Sequence, residues 1–334
     1  MNDVRQHPRI LLSELTAREL TPQFEEIFGH GGYTLVTAKQ IHEGHADADI
    51  CFVSREITGN STKQNILPDT QYFYDALRAS KALQWIQIHS AGADRQVYLD
   101  LIARGVTLST SSGASASLVA QTALTGLLSL SRRFPQLAAA QRAHVWAPFF
   151  KTGLPPDLEG QTVMIVGWGP IGQKLGAWLG ALGLNIVVVR QSAEARIEGA
   201  RVIGFADFNA TLPQTDWLVL ACPLTAQTTN LVSAQALASM KPSAHIINIS
   251  RGAVIDEPAM IDALKNDRLA GAYLDVFAQE PLVPDSPIWD LPNVIATPHT
   301  AGFSDGILKR MSQMFIQNLK NWHNNSTLFN VVNK

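Results

Sequence analysis

The apolar run Thr162-Val163-Met164-Ile165-Val166 leads straight into Gly167-Trp168-Gly169-Pro170-Ile171-Gly172, and no other part of the chain constrains its fold as much. A continuous apolar run of this length reads as a strand buried on both faces, which belongs in a parallel sheet covered by helices. The glycines follow at once and precede a helical run at 173–182. In that setting GxGxxG has a physical meaning. Gly167 permits a tight turn, Gly169 lacks the Cβ that would block a pyrophosphate, and Gly172 lets helix and strand approach closely. The helix N-terminus, where Pro170 and Ile171 stand, offers free N–H groups to the phosphates. A glycine-rich turn with no ligand is the competing reading, and the flanking strand and helix weigh against it.

About twenty residues on, an NAD site would place an acid against the ribose 2′-hydroxyl. The chain has Val188-Val189-Arg190-Gln191-Ser192 there instead. A guanidinium and a serine hydroxyl suit a 2′-phosphate, with Arg196 as a further cation, so NADPH is the expected cofactor and NAD stays open. Two other readings stand beside it: Arg190 as a surface cation, and Glu194 or Glu198 serving the ribose.

The same alternation of short apolar runs and helix-length segments extends from end to end, the pattern of an α/β protein. With 334 residues and roughly 150 per domain, two domains are expected. Strand-like runs at 9–12, 34–37, 50–54, 84–89 and 106–109 make a doubly wound first unit. Its first helix, at 17–28, would be capped by Thr16 or Thr21. The small-residue stretch 109–115 reads as a linker. Residues 117–143 read as a helix interrupted at Pro135, apolar enough to be buried against the second domain or another subunit. Beyond the glycine motif, strands are expected near 186–189, 217–221, 245–249, 271–275 and 294–296. The amphipathic tail after Gly302 is expected to return to the first unit.

Composition removes several functions. With 26 basic against 28 acidic side chains and a net charge of -2, there is no basic face for nucleic acid or an anionic membrane. Cys51 and Cys222 form neither a disulfide framework nor a CxxC pair and read as small buried hydrophobes in a reducing compartment. The first nine residues carry no apolar h-region, and the stretch 117–131 is interrupted by Gln121, Thr122 and Thr125. A cytoplasmic protein without a membrane span is expected. His30, His42, His45, His89, His144 and His245 show no metal-ligand spacing, so no metal is expected.

Three ionisable residues stand in loops directly after strands of the second unit: Arg251, Glu280 and His299. In an open α/β sheet such loops gather at the ligand crevice.

With these residues in place, the sequence resembles the D-isomer-specific 2-hydroxyacid dehydrogenases over nearly its whole length, in the glyoxylate and hydroxypyruvate reductase branch. The resemblance rests on 166–172, on Cys222-Pro223-Leu224-Thr225 with Thr228 and Asn230, on Asn248-Ile249-Ser250-Arg251-Gly252, and on Asp275-Val276-Phe277. Glu280-Pro281-Leu282, Ser286-Pro287-Ile288-Trp289, Pro292-Asn293-Val294 and Thr297-Pro298-His299 complete it. It implies α/β architecture with two doubly wound parallel-sheet domains. Residues 1–110 with the tail 301–334 would be a flavodoxin-like substrate domain, and 111–300 a Rossmann NAD(P)-binding domain, with the active site in the cleft.

The resemblance also implies roles. Arg251 would clamp the substrate carboxylate and polarise the 2-oxo group, while Ala91 and Gly92 in Ser90-Ala91-Gly92-Ala93-Asp94 would cradle the carboxylate. His299 would be the general acid and base, contacting substrate, with Glu280 fixing its tautomer. Asp275 would lie near the nicotinamide carboxamide, and Cys222, Pro223, Thr228 and Ser250 would line the cofactor groove. Glutamate at 280 argues against the related formate dehydrogenases, which carry glutamine.

Two departures stand out: Gln121 where the family usually has glutamate, and Arg190 where it usually has an acid. The expected activity is NADPH-dependent reduction of small 2-oxo acids to D-2-hydroxy acids. A 3-phosphoglycerate-type dehydrogenase is the enzymatic alternative, and a non-catalytic nucleotide-sensing, corepressor-like module the other. A homodimer is expected, and the aromatic stretch 144–150 around Trp146 would reach a substrate pocket across its interface or form an interface or core patch.

Overall fold

Among the described residues, five short strands lie at the centre of the N-terminal part: β1 (Arg9–Leu11), β2 (Thr34–Val36), β3 (Ile50–Val53), β4 (Trp85–Ile88) and β5 (Thr107–Thr110). The computed structural model describes residues 6–62, 65–194 and 196–332. The chain divides into two compact units, Met1–Ala114 with Ser304–Lys334, and Ser115–Phe303.

In the first unit the strands are parallel in the order β2-β1-β3-β4-β5, the doubly wound flavodoxin-like order. Side chains alternate between its two faces. Ile50 and Phe52 join Ile10, Phe24 and Trp85 on one face, while Cys51 and Val53 join Leu11, Tyr74 and Leu77 on the other. The C-terminal helix Ile307–His323 covers the first of these faces with Phe315, Leu319 and Trp322. Phe315 is fully buried and stacks on Phe52 at 4.6 Å between ring centroids. Buried Asn318 donates to Gln87 Oε1 at 2.8 Å and accepts the Phe329 N–H at 2.8 Å. That clamp places Val331 antiparallel to Ser109 of β5.

Three local expectations are corrected. The first helix is Glu14–Phe28, and its cap is Ser13, whose hydroxyl accepts the Thr16 N–H at 3.1 Å. Thr21 instead donates to Ala17 O from inside the helix. The linker loses its first two residues to β5, because Ser109 is buried where it accepts from Trp85 Nε1 at 2.8 Å. The helical stretch at 117–143 is two helices, Ala116–Ser131 and Phe134–Arg142, broken at Arg133 with φ 53°. Pro135 sits in the first turn of the second helix, where its missing N–H is harmless.

The second unit carries β6 (Thr162–Val166), β7 (Asn185–Val189), β8 (Ala200–Ile203), β9 (Trp217–Leu220), β10 (His245–Asn248), β11 (Gly271–Leu274) and β12 (Val294–Ala296). All run parallel in the order β12-β11-β10-β9-β6-β7-β8. This is the Rossmann order, with its switch point between β6 and β9. Strand β8 was not expected. It is a short edge strand, Ala-Arg-Val-Ile, in which Arg201 interrupts the apolar run that marks its neighbours. The apolar face of helix Ala116–Ser131, with Val119, Ala123, Leu127 and Leu130, packs on this unit's own sheet against Val163, Ile165 and Ile247. Among the described residues, no helix is long and apolar enough to cross a membrane.

Candidate active site

The glycine loop sits at the switch point, and each glycine has a distinct reason to be there. Gly167 follows β6 with φ 98°, a conformation that favours glycine. A Cβ on Gly167 would lie 2.7 Å from Ala221 O at the end of β9, and one on Gly172 would lie 2.3 Å from Gly167 O. Gly169 differs: a Cβ there would meet nothing within 4 Å. The turn is closed tightly at its ends and open in the middle, where a pyrophosphate would approach. Gly169 is also the N-cap of helix Pro170–Ala181, so the helix starts inside the motif and aims its free N–H groups at that open space. These residues fit a dinucleotide.

Arg190 is half-buried just past β7, where its N–H donates to Ile203 O of β8 at 3.2 Å. Ser192, Glu194, Arg196 and Glu198 are exposed on the turn that follows. Neither glutamate forms an ion pair with Arg190 among the described residues.

Past β9, Cys222 is buried, and burial pushes its thiol up to about 11, so it stays protonated at neutral pH. The Thr228 hydroxyl donates to Pro223 O at 2.7 Å and accepts the Thr225 N–H at 2.8 Å. The buried Ser250 hydroxyl donates to Asn248 Oδ1 at 2.9 Å. Thr228 and Ser250 thus shape the loops at the strand ends, with their hydroxyls already engaged within the protein.

Arg251, Glu280 and His299 converge in this unit. A Cβ at residue 252 would lie 1.9 Å from the Phe277 carbonyl carbon, so only glycine lets the loop after β10 press against the loop after β11. That approach brings the Arg251 charge near Glu280, while Arg251 Nη1 donates to Ser250 O at 2.7 Å. Glu280 Oε1 accepts the Phe277 N–H at 3.1 Å, and Oε2 meets His299 Nδ1 at 2.8 Å. Burial pushes the Glu280 carboxyl up. The hydrogen bond and charge of His299, the Phe277 N–H and the charge of Arg251 outweigh it and hold the carboxyl below its ordinary range.

His299 has φ 51°. Its N–H donates to Asp275 O at 2.9 Å. The Asp275 carboxylate, buried, accepts from Thr297 Oγ1 at 2.6 Å and from the N–H groups of Thr300 at 2.9 Å and Ala301 at 3.0 Å. Asp275 therefore holds the turn that carries His299. The hydroxyls of Thr297 and Tyr273 meet at 2.7 Å; Thr297 entered the sequence reading only as part of the motif Thr297-Pro298-His299, with no role of its own, and Tyr273 was not named in it.

Ala91 and Gly92 belong to the first unit, on the turn after β4, where Ser90 Oγ donates to Gly92 O at 2.8 Å. Gln121 is exposed on its helix, so its missing charge disturbs no packing. No group of three or more His, Cys, Asp or Glu among the described residues is arranged to hold a metal ion.

Residues 124–301, more than half of the chain, match the family model described as D-isomer specific 2-hydroxyacid dehydrogenase, NAD binding domain. The chain belongs to the D-isomer-specific 2-hydroxyacid dehydrogenases. A glyoxylate reductase of Thermofilum pendens is 32% identical over 252 residues, covering 73% of each chain. Glyoxylate/hydroxypyruvate reductase B of Pectobacterium carotovorum is 34% identical over 252 residues, covering 73% of this chain and 77% of the relative. A family member from Aeromonas salmonicida, known as a crystal structure, is 27% identical and superposes with a TM-score of 0.77 over 98% of this chain and 99% of that one. This 2-hydroxyacid dehydrogenase is thus an NAD(P)-dependent oxidoreductase with two parallel-sheet units.

Proposed function

We propose that this dehydrogenase reduces small 2-oxo acids of the glyoxylate or hydroxypyruvate kind to D-2-hydroxy acids, with NADPH preferred over NADH. The observation that carries the reading is the 2.8 Å contact between His299 Nδ1 and Glu280 Oε2 beside Arg251. Glu280 accepts from Nδ1–H, so in the cationic ring that reduction requires it is Nε2–H that is left to face the substrate. Arg251 binds the substrate carboxylate and polarises the carbonyl. Gly167, Gly169, Pro170, Ile171 and Gly172 would hold a nicotinamide cofactor, which when bound would provide hydride chemistry. As the carbonyl carbon becomes tetrahedral, the C=O electron pair takes the proton from Nε2 of His299, and the reverse reaction returns it.

In the same reading, Arg190 and Ser192 bind a 2′-phosphate, Cys222 and Pro223 wall the cofactor groove, and Thr228, Ser250 and Asp275 support it from behind. Residues 1–110 and 301–334 serve the substrate and 111–300 the cofactor. Two relatives of 32% and 34% identity named as glyoxylate or glyoxylate/hydroxypyruvate reductases support the substrate class.

A second copy of the chain is the partner in this reading. Trp146 is 92% and Phe150 91% exposed, with Phe134 and Leu154 also exposed nearby in sequence, and apolar surface so displayed marks an interaction site. Sedimentation velocity should show a dimer, and a monomer at micromolar concentration would refute it.

The decisive test measures oxidation of NADPH and of NADH with glyoxylate, hydroxypyruvate, pyruvate and phenylpyruvate. Turnover should favour NADPH, and Arg190→Asp should cut kcat/KM for NADPH by about tenfold or more, the scale of one charge-assisted contact. Preference of the wild type for NADH would overturn the cofactor assignment. Nucleotide binding with no turnover of any 2-oxo acid would overturn the activity.

A further inference from the structure

Asp275 is buried, 3% exposed, and no cation pairs with its carboxylate among the described residues. A buried charge of this kind is held by hydrogen-bond donors or not at all. Two of its donors are the backbone N–H groups of Thr300 and Ala301, and the third is the Thr297 hydroxyl at 2.6 Å. The Thr297 hydroxyl has a single proton and faces an acceptor-only group, so that proton points at Asp275. Its other neighbour, the Tyr273 hydroxyl at 2.7 Å, must then donate to it. Burial, with the nearby Asp275 charge, pushes the Tyr273 phenol up to about 12 despite the Thr297 bond, so the donor keeps its proton at any working pH. The proton inventory thus fixes one direction, from Tyr273 through Thr297 to Asp275.

The start of the chain is fixed too. A Cβ at Gly126 would lie 2.4 Å from Tyr273 Cγ. Glycine costs about 1 kcal/mol inside a helix, yet here it lets the tyrosine ring lie against the backbone of helix Ala116–Ser131. At the other end, the Thr300 and Ala301 N–H groups on Asp275 follow directly after His299, whose φ is 51°.

We propose that Tyr273 and Thr297 are positioning residues: an ordered hydroxyl chain that holds Asp275 against the 299–301 turn and thereby aims the His299 ring at its substrate. Neither side chain touches the reacting atoms. The proposal rests on the functional reading above, in which His299 delivers the proton.

Four proteins test it: wild type, Thr297→Val, Thr297→Ser and Tyr273→Phe. Each is measured for steady-state reduction of glyoxylate and for amide hydrogen exchange at Thr300 and Ala301. Thr297→Val should lower kcat by about tenfold to a hundredfold with KM and NADPH affinity within about threefold, the signature of a misplaced catalytic group. Thr297→Ser, which keeps the hydroxyl, should restore kcat to within about threefold of wild type, and Tyr273→Phe should fall between. Exchange at both amides should quicken in Thr297→Val and not in Thr297→Ser. An unchanged kcat and unchanged exchange in Thr297→Val would overturn the proposal, as would equal losses in the serine and valine variants. Should Thr297→Val not fold, Tyr273→Phe carries the same comparison, and wild-type kcat there would count against the chain. If the wild type reduces no 2-oxo acid, the functional reading fails, while amide exchange still decides whether the chain holds the turn.

Discussion

His299 adopts a left-handed conformation without being glycine, a choice that costs roughly 1–2 kcal/mol. The surrounding bonds to Asp275 offset that cost and point the ring at Glu280. Gly252 shows the same logic from the other side, because its missing Cβ is what lets Arg251 come close to Glu280. Gly252→Ala should therefore destabilise by about 1–3 kcal/mol, as overpacking does, and depress turnover as the two loops part. Denaturant unfolding beside kinetics checks this, and wild-type stability would contradict it. The sequence offered Arg251, Glu280 and His299 as ionisable residues in loops after strands, and the family resemblance supplied their expected roles. The roles of Thr297 and Tyr273 were not legible, since a hydroxyl acquires its role only from a partner on a neighbouring segment, and spacing along the chain does not reveal that partner.

At the scale of elements, strands buried on both faces were legible as unbroken apolar runs, and the described residues form twelve short parallel strands. Strand β8 was not legible in this way: Arg201 breaks its short run, and its partner on β7 supplies the pairing that the sequence hides. The N-cap of the first helix was misplaced because Ser13, Thr16 and Thr21 all stand near its start, and it is the Ser13 hydroxyl that faces the free N–H of Thr16. Helix Ile307–His323 shows most directly that packing holds an element in place. Phe315 fills the space between Phe24, Phe52 and Trp85, so Phe315→Ala should cost about 3–5 kcal/mol. Denaturant unfolding of the intact chain should show that loss, and one below about 1 kcal/mol would mean the helix is held by its polar clamp at Asn318 rather than by its aromatic face.

Over the whole molecule, stability should depend on pH through two buried histidines. Burial, with the charge of Arg55 second, pushes His89 down to about 4, and burial pushes His245, stacked on Trp217, to about 4 as well. Both are neutral in the folded chain at neutral pH, whereas in the unfolded chain they bind protons near the ordinary value of 6.5. Unfolding then takes up protons, so stability should fall as pH drops from about 6.5 towards 4. The depressed carboxyl of Glu280 acts lower still: its contribution is complete above the ordinary carboxylate range and lost as pH falls through its own value. Urea midpoints at three pH values between 7.5 and 5 should decline, with His245→Gln flattening the decline, and a constant midpoint would refute the assignment. Single-turnover reduction of glyoxylate by the NADPH complex of His299→Gln should be slower than wild type by about 10²–10⁴-fold, the usual contribution of a positioned acid, with NADPH affinity unchanged. A rate within about threefold of wild type would show that the proton comes from elsewhere.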